Sequence, residues 1–176
     1  GLTSTFCADA GNVVMTGVPS GGTFSGPGFI GNIFQPATVG AGYYCIHYDY
    51  TDPSTGCHDD TVICVTVNPL PNVTATGYAP AYCKNDVPVI LIGSPQGGTF
   101  TGSTGLSGAN GTTFDPATAS SGNNVITYTY TDQQTGCSNT YTFTINVKDA
   151  PSIDVAASTD TSCQGQAVTF TPTFSF

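Results

Sequence analysis

Ten residues, YDYTDPSTGC from Tyr48 to Cys57, return as YTYTDQQTGC from Tyr128 to Cys137, 80 positions further on. In each copy tyrosines alternate with short polar residues, as in a strand with one buried face, and T-D-x-x-T-G supplies turn chemistry. A second alternating run follows each turn: Ile63, Val65 and Val67 after the first, Tyr141, Phe143, Ile145 and Val147 after the second. Strand, turn and strand predict a hairpin. Outward from it the likeness continues. FQPAT (Phe34 to Thr38) returns as FDPAT (Phe114 to Thr118) at the same spacing. PSGGTFSG (Pro19 to Gly26) returns as PQGGTFTG (Pro95 to Gly102) after 76 positions. The change of spacing puts four extra residues between Gly102 and Phe114, where Gly, Ser, Thr and Asn predict a loop. Cys7, Cys83 and Cys163 mark one point in three successive units.

A period near 80 is too long for a solenoid turn and suits one small β-domain. In the second unit, strands are predicted at Asn72–Thr76, Val87–Ile92, Gly98–Gly102, Thr112–Phe114, Val125–Thr131 and Asn139–Val147, and no segment carries a capped helical period. The expected fold is all-β: tandem immunoglobulin-like β-sandwich repeats of about seven strands each, disulfide-bonded. Residues 1–68 form a first repeat lacking its first strand, 72–148 a second, and 152–176 the truncated start of a third. The linkers Asn68–Asn72 and Lys148–Ser152 contain proline, which predicts stiff joints between beads.

Composition excludes several functions. The chain has 176 residues and a net charge of −9, from eleven Asp and no Glu against Lys84 and Lys148, with no Arg. Tracking nucleic-acid phosphates needs clustered Lys or Arg, and an acidic chain is repelled by anionic lipid. No apolar run approaches the roughly 18 residues of a membrane span. Gly1 falls inside the first repeat, so any export signal is expected upstream or already removed.

The cysteines follow the repeat. The second repeat holds only Cys83 and Cys137, which predicts their pairing, and by equivalence Cys7 with Cys57. Cys45 and Cys64 remain, and a hairpin turning at Ser54 and Thr55 sets them opposite each other on the outward face. Cys163 is expected to be unpaired because its repeat stops before the matching position. Each bridge is worth about 3–4 kcal/mol in the loop-entropy treatment, and such bonds need an oxidising compartment. Clustered C-x-x-C ligands for a metal are absent.

The combination GGTFSG, F-x-P-A-T, Y-x-Y-T-D-x-x-T-G-C and a closing strand ending in V-x-P resembles the immunoglobulin-like and PKD-like repeats of large Bacteroidetes surface proteins. The resemblance covers residues 1–150, and Thr161 to Phe174 looks like the opening of a PKD repeat. It implies export by the type IX system, gliding-motility-associated or adhesin-like surface display, an extracellular or cell-surface location, and no catalysis. It assigns no ligand to any position.

Residue by residue, other chemistry is thin. Asp49, Asp52, Asp59 and Asp60 form a calcium candidate around the first hairpin, but the second repeat keeps only Asp132 of that set. His47 and His58 are the sole histidines and read as surface residues. No nucleophile, base and orienting group recur together, so neither an enzyme nor a bound cofactor is expected. The GGTFSG glycines lack the G-K-[ST] and helix of a phosphate loop. Of Tyr43, Tyr44, Tyr48 and Tyr50, alternation turns three inward, which favours core packing over sugar stacking. Thr61, in Asp-Thr-Val, resembles a Bacteroidetes O-glycosylation sequence, and Asn72 and Asn110 fit the N-linked acceptor pattern.

Two functions fit. One is a structural or adhesive stalk or fibre, whose partners are neighbouring repeats of the same polypeptide or other copies, with surface glycans as candidate ligands. The alternative is a carbohydrate-binding accessory module of a secreted enzyme. Repetition favours the first, and the missing first strand suggests a portion of a longer assembly whose open edge takes a strand either from upstream sequence of the same polypeptide, the simpler option, or from another copy, for which Ser152–Ala156 is a candidate.

Overall fold

The computed structural model describes residues 5–157, 164 and 167–175. The chain is all-β. Its first repeat contains β1 (Thr5–Cys7), β2 (Val13–Val14), β3 (Thr23–Ser25), β4 (Phe29–Ile30), β5 (Ile33–Phe34), the single helical turn α1 (Pro36–Val39), β6 (Gly42–Thr51) and β7 (His58–Asn68). Four strands make one sheet in the order β1-β7-β6-β3, and three make another, β2-β5-β4. Phe34 of the smaller sheet and Ile46, Val65 and Val67 of the larger are buried together, with Phe6, Phe24 and Phe29 packed around them.

The second repeat starts with an additional strand, β8 (Thr74–Thr76), then β9 (Ala81–Cys83), β10 (Val89–Ile90), β11 (Ile92–Ser94), β12 (Thr99–Thr101), β13 (Leu106–Ser107), β14 (Thr113–Phe114), β15 (Gly122–Thr131) and β16 (Ser138–Lys148). Its sheets run β9-β16-β15-β12 and β10-β14-β13, the same orders as before, and β8 pairs with β11. The extra residues before Phe114 include a 3-10 turn at Ala109–Gly111. Beyond it, β17 (Ser152–Ala157) pairs antiparallel with β18 (Phe170–Ser175). Cys163 lies outside the described residues.

The chain divides into two compact units, Gly1–Val73 with Thr129–Thr140, and Thr74–Tyr128 with Tyr141–Phe176. The tip of the β15–β16 hairpin therefore belongs with the first unit.

The repeated motifs have a shared physical cause. Tyr48 is buried on β6, and its hydroxyl accepts from Gly22 N at 2.9 Å and donates to Pro19 O. Tyr128 does the same in the second repeat, accepting from Gly98 N at 2.8 Å and donating to Pro95 O. A buried phenol needs partners for its hydroxyl, and the Pro-x-Gly-Gly turn provides them. Gly17 and Gly93 must be glycine, because a Cβ at either would lie 2.1 Å from the tyrosine ring. In F-x-P-A-T, the phenylalanine is fully buried and the proline starts a single turn of helix in the first repeat.

Two short strands, β1 and β9, escaped the sequence reading, and they decide the disulfides. β1 runs parallel to β7 with Cys7 beside Asn68, and β9 runs parallel to β16 with Cys83 beside Lys148. Cys57 precedes the opposite end of β7, and Cys137 the opposite end of β16. At roughly 3.3 Å per residue, the two cysteines of one repeat stand about 35 Å apart. A disulfide requires Cα atoms within about 7 Å. The expected Cys7–Cys57 and Cys83–Cys137 bonds are thus corrected: Cys7 bonds Cys137, with Cα atoms 5.5 Å apart, and Cys57 and Cys83 are free thiols. Cys45–Cys64 forms as expected, the two residues facing each other in the β6–β7 register.

Candidate functional site

The first unit carries a cysteine staple to a hairpin tip supplied from far along the chain, and among the described residues its Thr16–Val18 segment pairs with no strand. The tip is a rigid object. Asp132 Oδ1 accepts the amides of Gln134 at 2.8 Å and Thr135 at 3.0 Å, and these backbone bonds lower its pKa, Thr135 contributing most. Asp132 N donates to Cys137 O, and Gly136 N to Asp132 O. Gly136 has φ of 73°, a conformation that glycine adopts without a side-chain penalty. Cys137 leaves this turn fully buried in its bond to Cys7, and Asn139 Nδ2 donates to Pro71 O at 2.9 Å. Staple and latch both grip the segment where the first repeat ends.

The tip of the first repeat has the same construction. Asp52 Oδ1 accepts from Ser54 N at 2.7 Å and Thr55 N at 3.4 Å, which lowers its pKa, with the Ser54 amide the main cause. Asp52 N donates to Cys57 O, and Cys57 N to Thr55 Oγ1, as Cys137 N does to Thr135 Oγ1. One difference separates the two: Cys57 is exposed and unbonded.

The open edge is at Thr16–Val18. Its equivalent in the second repeat, β11, is covered by β8 in the register Ile92↔Thr76, Gly93↔Ala75 and Ser94↔Thr74. β8 and the residue before it bury Val73 and Ala75, and Tyr78 stacks on Phe143 at 4.0 Å. Beneath that cover Leu91, Phe100 and Phe143 are buried. In the first repeat, Thr16–Val18 has no strand partner among the described residues, and Val18 is 93% exposed. Met15, Val18, Phe24, Tyr48 and Ile63 line a groove of about 300 Å³.

The remaining sequence candidates do not converge. Asp49 and Asp60 face each other across β6 and β7, Asp59 faces Tyr50 one step along, and Asp52 holds the turn. Strand alternation therefore puts Asp59 on the face opposite Asp49 and Asp60. Among the described residues no three His, Cys, Asp or Glu side chains stand close enough to hold a metal. His58 Nε2 lies 3.6 Å from Asp49 Oδ1, both about half exposed, and His47 is exposed beside them. Tyr44, Tyr48 and Tyr50 face inward, while Tyr43 is 70% exposed. Thr61, Asn72 and Asn110 are exposed. Asn110 occupies the left-handed region at φ 56°.

Among the described residues no helix is long and apolar enough to cross a membrane, a statement that leaves β-barrels aside. No protein-family model matches the chain, and no curated protein matches it.

Proposed function

We propose that this chain is a structural or adhesive repeat segment of a large cell-surface or secreted protein, in which immunoglobulin-like or PKD-like modules in series build an extracellular stalk or fibre. The observation that carries this reading is the Cys7–Cys137 bond. It ties the first repeat covalently to the hairpin tip of the second. A load along such a chain meets a covalent bond as well as hydrogen-bonded strands. Both disulfides suit an oxidising compartment.

The resemblance to Bacteroidetes surface repeats adds type IX export and gliding-motility-associated or adhesin-like display to the proposal. Immunogold electron microscopy on intact cells with an antibody against residues 1–148 tests it. The expected result is label on filaments or stalks outside the envelope. Label confined to the cell interior would refute it, and label on a free secreted hydrolase would favour an accessory carbohydrate-binding module.

A further inference from the structure

A cavity of about 340 Å³ opens beside the Pro-x-Gly-Gly turn of the second repeat, a size at the lower end of small-ligand sites. We propose that it binds a neutral sugar unit, whose hydroxyls the side-chain amides of Gln96 and Asn110 hold. The inference deepens the adhesive reading and rests on it only in placing the chain outside the cell, where such glycans occur.

The lining defines the ligand class. Its floor is apolar: Leu91, Phe100 and Tyr128 are buried there, and the Tyr128 hydroxyl is already engaged by Gly98 N and Pro95 O. Ile90 and Ile92 are each more than half exposed at the wall, and they give the C–H face of a sugar ring an apolar surface to rest on. Gln96 and Asn110 are exposed, and among the described residues neither side chain has a hydrogen-bond partner. Each of these amides can both donate and accept, as a sugar hydroxyl does. Every lining residue is uncharged, so a carboxylate or phosphate would find no cation there, and the chain's net charge of −9 opposes an anion. A wholly apolar ligand would strip water from the two amides without replacing it.

The first repeat has the corresponding cavity in a reduced form. It measures about 200 Å³, and Gly21, Gly22, Phe24 and Tyr48 line it where Gly97, Gly98, Phe100 and Tyr128 line the larger one. Ser20 takes the place of Gln96, and the smaller cavity has one side-chain amide, that of Asn32. The loop that carries Asn110 is four residues longer than its counterpart. The turn and its buried tyrosine thus belong to the fold of both repeats, whereas the paired amides and the added volume belong to the second alone. Among the described residues Asn110 is also the only non-glycine with φ in the left-handed region. Glycine would serve that turn at no steric cost. The Asn110 side chain bonds nothing in the protein, so what it adds over glycine is an amide presented to the cavity.

The test is an NMR titration of the isotope-labelled 176-residue chain with the methyl glycosides of glucose, galactose, mannose and N-acetylglucosamine. Each is taken to about 50 mM, which detects a Kd in the millimolar range. At least one should shift the side-chain amide signals of Gln96 and Asn110 along a saturating curve, and glucuronate should bind more weakly. Asn110→Gly keeps the left-handed turn and removes the amide, so it should weaken binding about fivefold or more with the urea midpoint unchanged. Gln96→Ala, at an exposed position, should weaken binding to a similar extent. No saturating shift with any of the glycosides, shifts confined to other residues, tighter binding of glucuronate, or undiminished binding by both variants would each overturn the proposal. The stalk reading would stand or fall separately, on the cell-surface labelling.

Discussion

At the scale of single residues, the two buried tyrosines explain why the sequence repeats where it does. Each hydroxyl is held by one amide and one carbonyl of a Pro-x-Gly-Gly turn, and removing it leaves both unpaired. Tyr48→Phe and Tyr128→Phe should each cost about 1–3 kcal/mol in urea unfolding. Gly93→Ala should cost at least as much, about 1–3 kcal/mol or more, because its Cβ must displace the Tyr128 ring. The aspartates of the hairpin tips predict a pH dependence. Asp52 and Asp132 have folded pKa values lowered from 3.8 by backbone amides, so their contribution is present above the unfolded value and is lost as pH falls through the folded one. Asp132→Ala should therefore lower Tm at pH 7, and the difference from the unaltered protein should shrink towards pH 2. A difference constant over that range would contradict the assignment.

At the scale of elements, the long hairpins were legible and the short strands were not. Alternation over ten residues is a strong signal, and it gave the inward set Tyr44, Ile46, Tyr48 and Tyr50 and the Cys45–Cys64 bond directly. Three residues such as Thr5–Cys7 or Ala81–Cys83 hold less than two periods of alternation. Their parallel pairing with β7 and β16 is set by tertiary contacts, and that pairing separates the cysteines of one repeat. Val87–Ile92 was expected as one strand and is two, β10 and β11, in different sheets with buried Leu91 between them. The β8 strand carries its own prediction. Ala75→Asp puts a carboxylate where Ala75 is buried and should destabilise the second repeat by about 1–3 kcal/mol. Placing an NVTAT-type strand ahead of Gly1 through a short linker should raise the Tm of the first repeat by covering Met15, Phe24 and Ile63. An unchanged Tm would show that the groove does not accept a strand.

At the scale of the whole molecule, periodicity alone could not choose between bonds within a repeat and bonds between repeats. Cys57 and Cys137 are the same residue one period apart, so a partner for Cys7 inferred by counting fits either. Only the ends of the strands distinguish them. The bond spans a sequence separation of 130 residues, so the loop-entropy treatment gives it about 5 kcal/mol. Cys7→Ser with Cys137→Ser should free the tip at Thr129–Thr140 and raise hydrogen exchange there, while leaving the Tyr128 turn protected. The bond itself is the most direct test of the account. Peptide mapping of the oxidised protein without reduction should recover Cys7 linked to Cys137, beside Cys45 linked to Cys64. Recovery of Cys7 linked to Cys57, or of Cys83 linked to Cys137, would mean that the repeats close on themselves and would contradict it.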